Sequence, residues 1–436
     1  MKIIADLHFH SKYSRAVSPQ MELTNLAEWG RKKGIDLLTT ADFTHPLWFQ
    51  ELKTQLKEVR PGVYQLKDQA HSPFFILTTE LSLIFGQNRI HLLVLAPSLE
   101  VAEKINQKLT SRGFNLLSDG RPILGLAALE LVPLLKEIDP KIIFIPAHVW
   151  TPWFSLYGSR SGFNSIKECF GAYADEIKAI ETGLSSDPLM NWQIKELDSR
   201  VIVSFSDAHG PLNLGREVTI FELPENFSYD EIIAALQTPY PQAQTQFLPH
   251  IASTIEFYPE EGKYHYTGHR KCGVRHSPED SEKLGTTCPV CGKPLTVGVM
   301  HRVKTLSRPE KITPEIKFTN GLRLFYHPQN QHHPYITLVP LQEIIAEAEG
   351  VSKQSKRVQE KYLLAIDRLG GEFNILLKTP LEKIAQVLGE RITDGIDKNR
   401  RGEIIIEPGY DGVYGKVQIW PKKSGGGEKK EQMSLF

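Results

Sequence analysis

Eight short apolar runs punctuate the first half of the chain, at 2–7, 35–41, 74–81, 89–96, 141–147, 176–182, 200–206 and 217–222. Each is apolar nearly throughout, as strands buried on both faces are. Helical spacing lies between several of them, at 21–33, 101–112 and 189–197. This alternation predicts an α/β domain built on a parallel sheet or barrel. One more helix is expected at 228–236, then a Pro/Gln-rich connection. Over 259–310 the periodicity stops and Gly, Lys, His and Cys become dense, so this segment needs a staple. Helical spacing returns over 338–402, where Thr379-Pro380-Leu381-Glu382 reads as a capping box that opens a helix. A hairpin is expected at 403–407 and 413–420, and 421–431 has the composition of a flexible linker. The expected organisation is a first domain over 1–258, a metal-stapled ribbon over 259–310, a mainly helical domain ending in a hairpin over 311–420, and a tail over 421–436.

Hydrophobic residues make up 41% of the 436-residue chain and charged residues 23%, which excludes disorder along the whole length. No apolar run is long enough to span a bilayer, and no signal-peptide pattern opens the chain, so a cytoplasmic protein is expected. The net charge of zero hides an asymmetry. Residues 1–258 hold 23 Lys+Arg against 29 Asp+Glu, and residues 259–436 hold 28 against 22. The basic rear half suits a polyanion; ordinary drift in surface composition explains it equally.

Seven of the 15 histidines precede residue 210, and six of these stand at or near the ends of strand runs: His8, His10, His45, His91, His148 and His209. Only His71 stands apart. Asp42, Glu80 and Asp207 share the same places. In a parallel barrel such ends converge on one mouth. Mixed imidazole and carboxylate groups hold transition-metal or similar divalent ions. Nine groups exceed the needs of one ion, so two or three ions (Zn, Mn or Mg) are expected. Clustered ions suit phosphoryl transfer through metal-activated water. His8, His10, Glu80, His148 and Asp207 form the candidate catalytic set. Any one of these residues alone reads as a structural group; the set of nine does not.

In order and type, Asp6-Leu-His8-Phe-His10, Asp42 with His45, Glu80 with His91, His148, and Ser206-Asp207-Ala-His209 resemble the motifs of the polymerase-and-histidinol-phosphatase (PHP) superfamily. The resemblance covers about residues 1–240. It implies a distorted (β/α)7 barrel and a trinuclear metal site for phosphoester hydrolysis. One detail departs: the second motif is commonly Asp-His in succession, whereas here it is Asp42-Phe-Thr-His45.

His269-Arg-Lys-Cys272-Gly and Cys288-Pro-Val-Cys291-Gly are two ligand pairs of equal spacing, each followed by Gly. That pattern predicts a closed structural zinc site with His269, Cys272, Cys288 and Cys291, with His276 as a rival for the first position. Nearby Lys263, Arg270, Lys271, Arg275, Lys293 and Arg302 read either as phosphate contacts or as a solvated face.

The last residues, Gln432-Met433-Ser-Leu435-Phe436, resemble the bacterial sliding-clamp-binding motif, with Met433 in place of Leu. That resemblance implies a clamp as partner. The order of barrel, His/Cys ribbon, basic helical domain and clamp peptide is similar to the endonuclease Q family over the whole length. The resemblance implies nicking of double-stranded DNA 5′ of deaminated bases (uracil, hypoxanthine, xanthine) or abasic sites, leaving a 3′-hydroxyl and a 5′-phosphate. A monomer, nucleoid-associated, is expected. Trp150, Trp153 and Tyr157 are candidates to stack on an extruded base, and Arg160 to hold a phosphate. Lys353, Lys356, Arg357 and Lys361 share a helix face that suits duplex binding. Two alternatives stand: a PHP-type phosphatase acting on a small phosphate ester, and a DNA-binding scaffold without catalysis.

Overall fold

The computed structural model describes residues 1–69, 72–240 and 248–421. All eight apolar runs contain strands. In chain order the first domain holds β1 (Lys2–Asp6), β2 (Leu37–Thr39), β3 (Leu56–Arg60), β4 (Val63–Leu66), β5 (Phe74–Phe85), β6 (Asn88–Ala96), β7 (Ile123–Leu124), β8 (Ile143–Pro146), β9 (Ala179–Glu181), β10 (Val201–Val203), β11 (Val218–Glu222) and β12 (His250–Glu256).

The sheet is mixed, not all-parallel. β2 pairs parallel with both β1 and β5, and β9 pairs parallel with β10. β6 runs antiparallel to β5, with Leu77 opposite Ala96 and Phe85 opposite Asn88. Only Gly86 and Gln87 separate those strands, and so short a link permits only an antiparallel return. β11 lies antiparallel between β1 and β12. Helices Leu23–Lys33, Leu99–Ser111 and Ala128–Lys136 bury Leu26, Ile105 and Leu131 in the main core. A second core lies around Ile3, Leu37, Leu93 and Ile145, closed by helix Tyr229–Gln237 through Ile232 and Leu236.

The helix expected at 189–197 is broken into Pro188–Trp192 and the 3-10 turn Lys195–Ser199. Gln193 O accepts from Arg308 N (2.8 Å) instead of continuing the helical ladder. The strand β12 falls where a connection is expected. β15 (Glu315–Thr319), β16 (Leu322–Tyr326) and β17 (Tyr335–Thr337) stand at the start of the region expected to be mainly helical, and they extend the first domain's sheet through β17 against β12. The ribbon contributes β13 (Thr267–His269) and β14 (Val274–His276). Asn320 and Gly321, with φ of 51° and 80°, make the turn between β15 and β16.

Five helices follow, Leu341–Glu349, Lys356–Leu369, Glu372–Leu377, Leu381–Leu388 and Glu390–Arg401, then the hairpin β18 (Ile405–Glu407) and β19 (Lys416–Gln418). The Thr379 cap does not form. Its hydroxyl donates to Asn374 O (3.1 Å) of the preceding helix, and Pro380 stands at the N-cap. The clamp-type peptide Gln432, Met433, Leu435 and Phe436 lies outside the described residues.

Candidate metal centre and cleft

The strand-end groups come together as two triads. The ligand atoms of His8, His10 and Asp207 lie within 4.8 Å of one another, as do those of Glu80, His91 and His148. Glu80 joins them. Its Oε1 is 2.8 Å from His91 Nδ1, 3.1 Å from His148 Nε2 and 3.5 Å from His8 Nε2, while Oε2 is 3.4 Å from His10 Nε2. β1, β5, β6, β8 and β10 thus each deliver at least one group, from positions scattered over 200 residues of sequence.

Holding them there strains the backbone. Asp42, His148 and Asp207 have φ of 41°, 32° and 45°. Non-glycine residues in that left-handed region cost about 1–3 kcal/mol each and persist where the surroundings over-determine them.

Carboxylates behind the triads set the imidazoles. Glu181 at the end of β9 accepts from His8 Nδ1 (2.9 Å) and from the His148 amide (2.8 Å). Asp42 Oδ1 faces His10 Nδ1 at 3.1 Å, and Oδ2 accepts from Ser11 N (2.6 Å), Ser11 Oγ (2.7 Å) and Ser14 Oγ (2.8 Å). Both Asp42 oxygens are therefore occupied. Burial works to raise the Asp42 pKa, but the His10 ring and the Ser11 contacts outweigh it and hold it below the ordinary value. With Nδ1 engaged, each ring turns Nε2 inward. His8 Nε2, His10 Nε2 and Asp207 Oδ1 are buried with no hydrogen-bond partner, although the last two are 3.2 Å apart. Buried polar atoms are rarely left so. Three orphaned donor atoms on one triad, each ring locked from behind, fit a divalent cation.

His45 and His209 stand apart from the triads. His45 is stacked on Tyr13 at 4.4 Å, and its Nε2 faces Leu117 O at 3.2 Å. The His209 ring packs at 4.9 Å against His10 and lines the cleft.

A cavity of about 520 Å³ opens over the triads. His91, His148 and Asp207 form its floor, and Trp153, Tyr264, Lys263, Lys353 and Tyr414 are among its walls. Trp153 is exposed and packs edge-on against Tyr264 at 5.3 Å. Trp150 and Tyr157, expected as stacking surfaces, are core residues: both are buried, with Trp150 Nε1 donating to Asn191 Oδ1 (2.8 Å) and Tyr157 OH to Glu196 Oε1 (2.8 Å). Arg160 is exposed and is not part of the cavity wall.

In the ribbon, the ligand atoms of His269, Cys272, Cys288 and Cys291 lie within 4.8 Å of one another; His276 is not among them. Burial disfavours the Cys288 thiolate, but the His269 side chain and the Cys291 and Val290 amides outweigh it and bring the thiol down to about 6. A neutral-pH thiolate suits a metal.

The basic residues of the helical region are largely neutralised. Lys353 pairs with Glu343, Lys356 with Glu360, and Arg357 and Lys361 with Glu349. Glu181 and Arg121 are the site residues that sequence reasoning missed. Glu181 was legible as an acid at a strand end; Arg121, on a loop without periodicity, left no signal.

Known proteins resemble the chain along nearly its whole length. The model of the MJ0043 C-terminal domain matches residues 340–403. MJ0043 from Methanocaldococcus jannaschii is 31% identical over 277 residues, 63% of this chain and 32% of that protein, so the match spans about a third of that relative's length. YqxK from Bacillus subtilis is 27% identical over 434 residues, 96% of this chain and 99% of its own. The lesion-specific endonuclease PfuEndoQ from Pyrococcus furiosus superposes with a TM-score of 0.81 at 32% identity, over 96% of this chain and 95% of its own. Endonuclease Q in complex with a 27-mer duplex substrate carrying an abasic lesion at the active site gives a TM-score of 0.80 at 32% identity, over 97% of each chain.

Proposed function

The chain belongs to the endonuclease Q family, and from that premise we propose that it nicks double-stranded DNA on the 5′ side of deaminated bases or abasic sites. The products are a 3′-hydroxyl and a 5′-phosphate. The observation that carries this reading is the composition of the cleft. Its floor is a PHP-type ligand set, and its walls come from the ribbon (Lys263, Tyr264) and from the C-terminal region (Glu343, Lys353, Tyr414). A small phosphate ester needs no such walls; an extruded nucleotide with its flanking strand does.

His8, His10 and Asp207 would hold one divalent ion and Glu80, His91 and His148 a second, with Glu80 shared. Such ions lower the pKa of a bound water and stabilise the leaving oxygen. Glu181 and Asp42 keep the Nδ1 protons of His8 and His10, so that both rings act as neutral ligands through Nε2. The arrangement supports a PHP-type barrel in which Asp42 positions His10 and is not itself a ligand. Trp153, exposed on the cavity wall, would stack on the extruded nucleotide, because extrusion is how an enzyme reaches a base inside a duplex. One structural zinc on His269, Cys272, Cys288 and Cys291 would hold the ribbon. Gln432, Met433, Leu435 and Phe436 would tether a monomer to the sliding clamp.

A nicking assay on end-labelled duplexes tests this. Duplexes carry one uracil, hypoxanthine or abasic site, or none, and His8→Ala is the control. A single cut 5′ of the lesion is expected, absent in the variant and in unmodified DNA. No cut on any duplex with any divalent ion, beside hydrolysis of a small phosphate ester, overturns it.

A further inference from the structure

The cleft holds a cation to which the reading above gives no task. Arg121 lies on the loop that leads into β7, and its place is fixed on both sides. Gly120 N donates to Tyr13 O (3.1 Å), Arg121 N to Asp119 Oδ1 (3.1 Å), and Ser82 N to Pro122 O (3.0 Å). A Cβ on Gly120 would lie 2.3 Å from Ser14 Oγ and 2.5 Å from Asp42 Oδ2. Only glycine lets this loop lie against the carboxylate that orients His10. The Arg121 side chain, 22% exposed, emerges beside His91, His148 and Asp207 on the cavity wall.

Its Nη1 is 3.4 Å from Glu80 Oε2, the oxygen that also faces His10 Nε2. No other ion pair holds it among the described residues. A single long contact is a weak use of a guanidinium, whose fork matches two oxygens at once. Asp207, Asp119 and Asp42 also face it and keep it charged, while His91 and His209 oppose that charge. A preorganised fork on the wall of a phosphodiester cleft, loosely held and partly open, has the geometry of an anion receptor.

We propose that Arg121 binds a non-bridging oxygen of the scissile phosphodiester and orients that phosphate over the triads. The proposal rests on the endonuclease reading. The contact exchanges one arm of the guanidinium from Glu80 to the phosphate, or shares it between them. No covalent bond is made or broken by Arg121.

The test pairs a protein change with a charge change on DNA. Lesion duplexes carry either a phosphodiester or an uncharged methylphosphonate at the linkage 5′ of an abasic-site analogue. Binding is read by stopped-flow anisotropy before nicking, and nicking is followed in parallel. Arg121→Ala is expected to weaken binding of the phosphodiester duplex by about 10- to 100-fold, as loss of a charge-assisted hydrogen bond does. Arg121→Lys keeps the charge without the fork and should fall between. On the methylphosphonate duplex the wild type should bind as weakly as Arg121→Ala does, and the variant should lose nothing further. Equal losses for Arg121→Ala on both duplexes, or none on either, overturn the proposal while a nicking wild type leaves the endonuclease reading intact. Should Arg121→Ala not fold, the wild type still decides, because undiminished binding of the methylphosphonate duplex overturns the proposal. A wild type that nicks no lesion duplex overturns both.

Discussion

Lys33 Nζ lies 2.7 Å from Glu372 Oε2, and the two side chains are only 2% and 5% exposed. The pair fastens the end of helix Leu23–Lys33, in the first domain, to the start of helix Glu372–Leu377. Glu372 is fully used there: Tyr362 OH donates to Oε2 (2.9 Å) and Leu341 N to Oε1 (2.9 Å). The backbones meet beside it, since a Cβ on Gly371 would lie 2.8 Å from Gly34 Cα. This buried contact, together with the pairing of β12 and β17, fastens the region that carries Glu343 and Lys353 to the first domain.

Removing one partner strands a charge in a buried site. Lys33→Met is expected to lower unfolding stability by about 3–5 kcal/mol, the usual cost of breaking a buried pair from one side. Lys33→Met/Glu372→Gln should recover part of that loss, because no full charge is left. Urea unfolding of the single and double variants measures both; a single-variant loss below about 1 kcal/mol would mean that the pair is wetter than its burial implies.

The chemistry of the site was more legible than its roles. Nine strand-end groups stood out because short apolar runs mark where strands stop and few other forces put His and Asp there. Which of them turn a free atom into the triads and which stand behind was not legible. Asp42 and Asp207 have the same residue type and the same setting in sequence, yet Ser11 and Ser14 claim Oδ2 of Asp42 and His10 faces its Oδ1. Trp150 and Trp153 are three residues apart and meet opposite fates, core and cleft, because the loop after β8 folds back on itself, with Tyr157 N donating to Val149 O (2.8 Å). The Asn320-Gly321 hairpin was written in the alternation around it and was missed. The pairing of β12 with β17 could not be read locally, since it joins segments about 80 residues apart.

Glu181 offers a direct test of the positioning carboxylates. Its two oxygens receive two donors, His8 Nδ1–H and the His148 amide. Glutamine has the same shape and only one acceptor oxygen, so one donor meets an N–H instead. If that donor is His8, its proton moves to Nε2 and the ring is lost as a ligand. Glu181→Gln should bind divalent ions about 10- to 100-fold more weakly at the triads, the usual effect of losing such a partner. Calorimetric metal titration reads this, and an unchanged affinity would mean that Glu181 serves only to anchor His148.

A buried pair of acids makes stability depend on pH. Glu217 and Glu256 are fully buried, and among the described residues neither has a cation within ion-pairing distance. Burial, more than any neighbour, raises both; Glu217 is raised further by Glu256, which itself stands at about 8 despite hydrogen bonds from Ser204 and Thr182. The folded protein therefore keeps protons that the unfolded chain gives up near the ordinary glutamate value of 4.5. Their stabilisation is complete below that value and is lost as pH climbs towards 8, by up to about 1.4 kcal/mol per pH unit for each retained proton. Glu256→Gln cannot ionise. Its melting temperature should lie above the wild type's at pH 8 and converge with it at pH 5; parallel profiles for the two proteins would contradict the assignment.

The ribbon makes the last prediction, because its His/Cys cluster and the C-terminal hairpin are joined by backbone hydrogen bonds. Gly412 N donates to Lys263 O (2.8 Å), Gly415 N to Glu261 O (3.0 Å) and Tyr266 N to Gly409 O (2.9 Å). Asp411 accepts from the Arg270 amide (2.7 Å), two residues before Cys272. Tyr414 and Lys263, at this junction, are both part of the cleft wall. Cys288→Ser removes the buried thiolate of the four-residue cluster, and a structural zinc bound there contributes folding free energy outright. The variant should carry one zinc fewer per chain. Hydrogen exchange at the Gly412 and Gly415 amides, far from Cys288 in sequence, should speed up by at least about tenfold as the junction opens locally. Exchange confined to residues 269–292 would show instead that the hairpin holds its place without the metal, and that the cleft wall does not depend on the ribbon.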